Sequence, residues 1–162
     1  TTSAAGALPR LLDMKIEPFL LASTINIIIA QRLVRRLYDN KTAYNLDKAQ
    51  FEDLGTHVDL ARVMEFLKRE KIVDPKAEWK DIKFYKPQPS PDASDGYKDR
   101  IGIHEVMQVS DTIKHLIMTN ATSDDIEKQS KKEGMMTMFE DGIFKAVQGL
   151  TSIEEILRVT QE

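Results

Sequence analysis

Apolar positions in the first 37 residues fall into two helix-like runs and one run that suits a strand. Leu8, Leu11 and Leu12 share a face of a helix that Ser3 and the small residues after it can open. Pro9 must then fall in its first turn or kink it. Glu17-Pro18 begins a second helix, with proline at the first helical position, where its missing N–H costs nothing. From Ile27 to Leu37 the period is ambiguous. Ile27, Ile29, Leu33 and Leu37 share one strand face, interrupted by Gln31 and Arg35, yet helical spacing also gathers several of them. The β-branched content favours the strand.

Further along, spacing predicts helices over Asp47 to Leu54 and Asp59 to Ile72. The second has an apolar stripe of Leu60, Val63, Met64 and Leu67, with Glu65, Lys68 and Arg69 outside it. Trp79 to Tyr85 reads as a short extended piece. Lys86 to Asp95, rich in Pro, Ser and Asp, reads as a linker that cannot pack a core. Arg100 to Met107 alternates, with Ile101, Ile103, Glu105 and Met107 on the face better suited to burial. Four short helices follow. Ser110 can cap the first, and Thr122 with Asp125, Thr137 with Glu140 and Thr151 with Glu154 repeat the spacing of a capping box. Gly134 and Gly149 stand where a left-handed helix stop is wanted. This pattern predicts an α+β chain, mostly helical, with one strand pair and a C-terminal helical bundle.

Composition narrows the function. The charges nearly balance, 23 Lys and Arg against 26 Asp and Glu, with a formal net charge of −3. Such a chain lacks the basic surface that releases counterions from a polyanion, which excludes nucleic acid as partner. Cysteine is absent, so disulfides and thiolate metal sites are excluded, in keeping with a reducing cytosol. The longest apolar stretch, Pro18 to Ala30, is interrupted by Ser23, Thr24 and Asn26 and is too short to span a bilayer. No signal-peptide pattern stands at the amino terminus. Thr1 starts without a methionine and reads as a chain cut from something larger.

Candidate chemistry is sparse. The sequence contains no Gly-x-x-x-x-Gly-Lys-[Ser/Thr] run, so no phosphate cradle of that kind is present. His57, His104 and His115 have no ligand-like spacing, and no metal site is expected. Asp124-Asp125 and Glu154-Glu155 fall in first helical turns, where acids suit the helix dipole, and no catalytic residue is assigned. Arginine is more informative. Arg10 lies on the first helix, while Arg32, Arg35, Arg36 and Arg100 lie on or beside the two strands. They suit a solvated, salt-bridged face, or bidentate contact with phosphate or a neighbouring subunit. Composition does not separate these readings.

Ordered blocks carry a resemblance. They run Arg10-Leu-Leu-Asp-Met-Lys-Ile-Glu-Pro-Phe-Leu-Leu-Ala-Ser23, then Ala30-Gln-Arg-Leu-Val-Arg-Arg-Leu37, then Gly96-Tyr-Lys-Asp-Arg-Ile-Gly-Ile-His-Glu-Val106. Two more follow, Lys132-Glu-Gly-Met-Met-Thr-Met-Phe-Glu-Asp-Gly142 and Gly149-Leu-Thr-Ser-Ile-Glu-Glu-Ile-Leu-Arg-Val-Thr160. Together they resemble the hexameric ATPases that drive type II secretion and type IV pilus extension, over nearly everything but the middle of the chain.

The resemblance implies a start just after the family's histidine box, with the Walker motifs and catalytic glutamate upstream. Residues 1–37 then end a RecA-like core. Residues 38–95 form an insertion, and 96–162 carry a returning core strand and a helical subdomain. Many relatives hold zinc in that insertion with four cysteines; the matching positions here are Tyr38, Lys41, Pro89 and Asp92, so no zinc is expected.

Arg10 and Arg100 match arginines that face a neighbouring subunit or sense nucleotide, with Arg32, Arg35 and Arg36 as secondary candidates. ATP and Mg belong to the intact parent, and the fragment alone is expected to be inactive. Implied partners are other copies in a hexameric ring and an inner-membrane platform protein, at a cytoplasmic site peripheral to the membrane. A free-standing helical interaction module is the alternative. Retraction motors and type IV secretion relatives usually lack a comparable insertion, which speaks against them.

Overall fold

Residues 2–161 are described in a computed structural model. The chain is α+β, with eight α-helices and four strands among the described residues. In order they are α1 (Ala4–Asp13), α2 (Pro18–Thr24), β1 (Ile27–Leu37), β2 (Lys41–Tyr44), α3 (Lys48–His57), α4 (Leu60–Arg69), β3 (Phe84–Pro87), β4 (Tyr97–Gln108), α5 (Asp111–Met118), α6 (Ser123–Lys132), α7 (Met138–Val147) and α8 (Ile153–Thr160). No helix among them is long and apolar enough to cross a membrane.

Capping chemistry sets most of the helix starts. Ser3, Asp47, Asp59, Ser110 and Thr122 each accept a backbone N–H of their helix's first turn through the side chain. Pro18 stands at the first position of α2, as expected, whereas Pro9 sits in the second turn of α1 rather than the first. Gly134 and Gly149 both take the positive φ expected of them, +101° and +77°. At α8 the cap is one residue later than the spacing suggested. Ser152 accepts from Glu155 N, and Thr151 instead donates to the Arg35 carbonyl at 2.9 Å.

The middle of the chain holds two further corrections. Trp79–Asp81 is a single 3₁₀ turn, not extended, and β3 begins only at Phe84. β3 pairs antiparallel with β2, Tyr44 opposite Phe84 and Lys41 opposite Pro87, a long-range strand pair that the sequence did not announce. The expected linker is also tied down. Lys86 and Pro87 belong to β3, Ser90 and Ala93 exchange backbone hydrogen bonds, and Ala93 is buried.

Cα packing divides the described chain into two compact units, residues 2–31 with 104–138 and residues 32–103 with 139–161. In the first unit α1, α2, α5 and α6 pack around Leu8, Leu21, Met107, Ile113, Ile117 and Ile126. In the second, α3, α4 and the β2–β3 pair share a core with α7 and α8, around Leu54, Val63, Leu67, Phe84, Ile143 and Ile156. The four helices expected as one C-terminal bundle are therefore divided, α5 and α6 to one core and α7 and α8 to the other. The reason is apolar supply: the stripe of α4 needs a cover, and Ile143, Ala146 and Ile156 provide it.

β1 pairs with β4. Val109 N bonds to the Asn26 carbonyl in the first unit and Tyr38 N to the Gly96 carbonyl in the second, so opposite strand ends meet and the pair is antiparallel. Ile103, Glu105 and Met107 face inward while His104, Val106 and Gln108 stay exposed, the alternation read from sequence.

Candidate functional site

Buried charge marks three places. In the second unit Glu155 is wholly buried on α8, one turn after its cap. Arg35, from β1, gives its carboxylate Nε at 2.9 Å, Nη2 at 2.7 Å and its backbone N–H at 2.8 Å. Arg158, one turn along α8, gives Nε at 2.9 Å and Nη2 at 3.0 Å. Burial by itself raises the Glu155 carboxyl, but the hydrogen bonds from Arg158 and Arg35 outweigh it and bring the pKa down to about 2. Arg35 also reaches Asp95 at 3.1 Å and stacks over the Tyr97 ring at 4.3 Å. Burial pushes the Tyr97 phenol up, and the hydrogen bond it shares with Ser152 opposes that shift.

A second carboxylate, Glu105 on β4, is 3 % exposed. One oxygen accepts Ala4 N at 2.9 Å and the other Met138 N at 3.0 Å, the first residues of α1 and α7. A single side chain thus sits at two positive helix ends. The third, Glu140 on α7, takes Arg62 Nε of α4 at 2.9 Å. Their bonds join β1 to α8, β4 to the starts of α1 and α7, and α4 to α7.

The arginines singled out in the sequence separate. Arg35 is committed within the chain as described, and Arg32 is half-buried on β1. Arg10, in the last turn of α1, and Arg36 and Arg100, on the strands, are exposed and have no side-chain hydrogen bond or ion pair among the described residues. Arg10 and Arg100 lie in different units. Glu155 and Glu105 were not singled out as sites. Their signal was present: Ser152, Glu155, Ile156 and Val159 share one helical face, and Glu105 stands on the inward face of its strand.

At the positions matched to zinc cysteines, Tyr38 Oη donates to Asp92 at 3.4 Å, and Lys41 Nζ donates to the Gly149 carbonyl at 2.8 Å, above the Tyr85 ring. An ammonium and a proline supply no ligand, so this set does not fit zinc. Among the described residues no group of three or more His, Asp or Glu side chains converges to hold a metal ion.

Three clefts open on the surface of the described residues. One of about 330 Å³ in the second unit carries Asp53, Glu154, Tyr44, Tyr85 and a single cation, Lys86. One of about 470 Å³ in the first is lined by Ile27, Val106, Glu133 and Met135, with Ser130, whose buried hydroxyl has no hydrogen-bond partner. A third, of about 490 Å³, is nearly all apolar with Lys68 at its edge. None carries the clustered cations or open helix amides that a triphosphate requires.

Comparison with known proteins gives a consistent result. A family profile described as "Type II/IV secretion system protein" matches residues 1–158. Over the whole of this chain, 40 % of residues are identical to the type II secretion system protein E of Xanthomonas campestris, covering 26 % of that protein. The type IV pilus assembly ATPase PilB of Pseudomonas aeruginosa is 35 % identical with 26 % covered, and the type II secretion system ATPase E of Vibrio cholerae is 35 % identical with 28 % covered. The chain spans about a quarter of the length of these curated relatives.

Proposed function

This chain belongs to the type II/IV secretion system protein family, and on that premise we propose that it is the carboxy-terminal portion of a hexameric motor ATPase for type II secretion or type IV pilus assembly. The observation that carries this reading is the alignment of the entire chain with secretion and pilus-assembly ATPases, at 40 % and 35 % identity. ATP and Mg act in the longer protein, at residues outside this sequence. Here residues 1–37 and the returning strand end a RecA-like core, 38–95 form the cysteine-free insertion, and the remaining helices complete the C-terminal part. The portion serves ring assembly, coupling and contact with an inner-membrane platform protein, from the cytoplasmic side.

Arg10 and Arg100 are the residues proposed to face a neighbouring subunit or sense its nucleotide, since each presents a free guanidinium. Replacing either with alanine in the longer protein is expected to lower ATP turnover on the order of 100-fold, the usual loss when one charge-stabilising donor is removed. Calorimetry of the 162-residue chain with Mg-ATP should register no binding. Tight binding there, or full turnover with both arginines removed, rejects the reading.

A further inference from the structure

Residues 38–95 are tied at their two ends by short polar contacts within the second unit. Tyr38 N–H donates to the Gly96 carbonyl at 3.0 Å, and Tyr38 Oη donates to Asp92 at 3.4 Å. Thr42 Oγ1 donates to Gln88 Oε1 at 2.9 Å, and the Lys98 ammonium lies 5.6 Å from the centre of the Tyr38 ring. Lys41 stands at one of the positions matched to zinc cysteines, yet its side chain takes another direction. Its half-buried stem carries Nζ past the Tyr85 ring, 5.3 Å from the ring centre, to the Gly149 carbonyl at 2.8 Å. That carbonyl belongs to the loop between α7 and α8. Among the described residues no carboxylate pairs with Lys41.

The seat for this ammonium is built by the end of α7. Gly149 N–H bonds to the Ala146 carbonyl at 2.9 Å and Leu150 N–H to the Lys145 carbonyl at 3.1 Å, the paired bonds of a glycine helix stop. The partial negative charge of a helix C-terminus favours a cation there, and the face of the Tyr85 ring adds to it. Gly149 is buried at φ +77°, and a Cβ on it would stand 2.9 Å from Lys41 Nζ and 3.2 Å from Cε. Glycine therefore supplies both the turn and the room. The loop is held from β1 as well: Leu37 N–H donates to the Leu150 carbonyl at 3.0 Å, and Thr151 donates to the Arg35 carbonyl. Gly149, Leu150 and Thr151, consecutive in the loop, are thus each bonded to a residue between Arg35 and Lys41.

We propose that Lys41 is a charge-operated clasp that locks β2 to the α7–α8 loop, and with it residues 38–95 to the start of α8. A four-ligand metal site ties its own ligand segments to one another, and it opens by metal loss or thiol oxidation. The Lys41 clasp joins two different parts of the second unit and opens when one ammonium leaves one carbonyl. Opening also frees the neighbouring Leu37–Leu150 bond, because only Tyr38, Asp39 and Asn40 separate β1 from β2. The core of Leu54, Leu67, Ile143 and Ile156 does not include Lys41 and stays packed.

The test is a double-variant cycle on the whole chain, followed by urea denaturation, with circular dichroism to establish that each variant is folded. Lys41→Ala removes the ammonium with its stem, and Gly149→Ala puts a methyl group where they sit. Lys41→Ala should lower the folding equilibrium constant roughly 10- to 100-fold, as loss of a hydrogen bond to a charged group does. Gly149→Ala should cost at least roughly tenfold more in the unmodified chain than beside Lys41→Ala, where only its backbone strain remains. Opening the clasp exposes little surface. Hydrogen exchange at the Leu37 amide should therefore not respond to low urea, and it should quicken in Lys41→Ala by the same factor as the stability loss. EDTA should leave the melting temperature of the unmodified chain where it is. The proposal is overturned by losses that simply multiply in the double variant, by Leu37 exchange with the urea response of global unfolding, or by a melting temperature that EDTA lowers.

Discussion

At Glu155 two opposing effects of the same burial are visible. Loss of water favours the neutral acid, while the low-dielectric surroundings strengthen each hydrogen bond from Arg158 and Arg35 to the anion. The carboxyl falls from its ordinary 4.5 to about 2. A depressed pKa contributes stability that is fully present above the unfolded value and is lost as pH falls through the folded one. Acid should therefore remove about 3 kcal/mol between pH 4.5 and about 2. Urea titrations across that window should show the slope for the native chain and a flatter profile for Glu155→Gln. Equal slopes would rule out this role.

Two glycines contrast at the same scale. At Gly96, φ is +80° and an added Cβ would stand 2.5 Å from Pro87 Cβ and 2.7 Å from the Gln88 nitrogen. Gly134 has φ +101° with open space around it. Gly134→Ala should cost about 1 kcal/mol from backbone strain alone, and Gly96→Ala about 3 kcal/mol or more, since main chain must also move. Chemical denaturation of both variants measures the difference. Gly134 could be read from its place after a helix. The demand at Gly96 could not, because it comes from a strand end across the Pro-rich turn.

Among elements, Glu105 governs two helix starts that are far apart in sequence. Replacing it with alanine removes both acceptor oxygens, so both α1 and α7 lose an anchor, at about 2–4 kcal/mol in total. Amide exchange at Ala4 and Met138 should accelerate together; a change at one alone contradicts the shared grip. Elements whose evidence is local were legible in the sequence: capped helices, Pro18 opening α2, and the alternation of β4. The β2–β3 pair was not, because Lys41–Tyr44 is short, largely polar, and gains its strand character only from a partner some forty residues on. The cap of α8 was missed for a subtler reason. Thr151 and Ser152 are adjacent and chemically equivalent as caps, and the choice between them is made by the Arg35 carbonyl, which engages Thr151.

For the whole molecule, the sequence blocks located the family, but not the way the last four helices divide between cores. That division depends on which apolar stripe needs covering, a property of the packed state. The two core clusters share no residue. Ile117→Ala and Ile143→Ala remove fully buried side chains from one cluster each and should cost about 2–5 kcal/mol apiece. Their effects in a double variant, followed by urea denaturation, should add to within about 0.5 kcal/mol. A larger departure means that the cores communicate.

The bonds joining β1 to α8 also set an order of events during synthesis. Arg35 and Glu155 are 120 residues apart, so at ordinary translation rates the strand waits roughly 6–24 s for its partner to be made. Through that interval the guanidinium of Arg35 stays hydrated and the second core lacks Ile156. Everything upstream can form local turns and helices, but the unit that begins at Arg32 closes only once Glu155 and Ile156 have emerged, and a chain stopped at Thr151 remains permanently at that waiting stage.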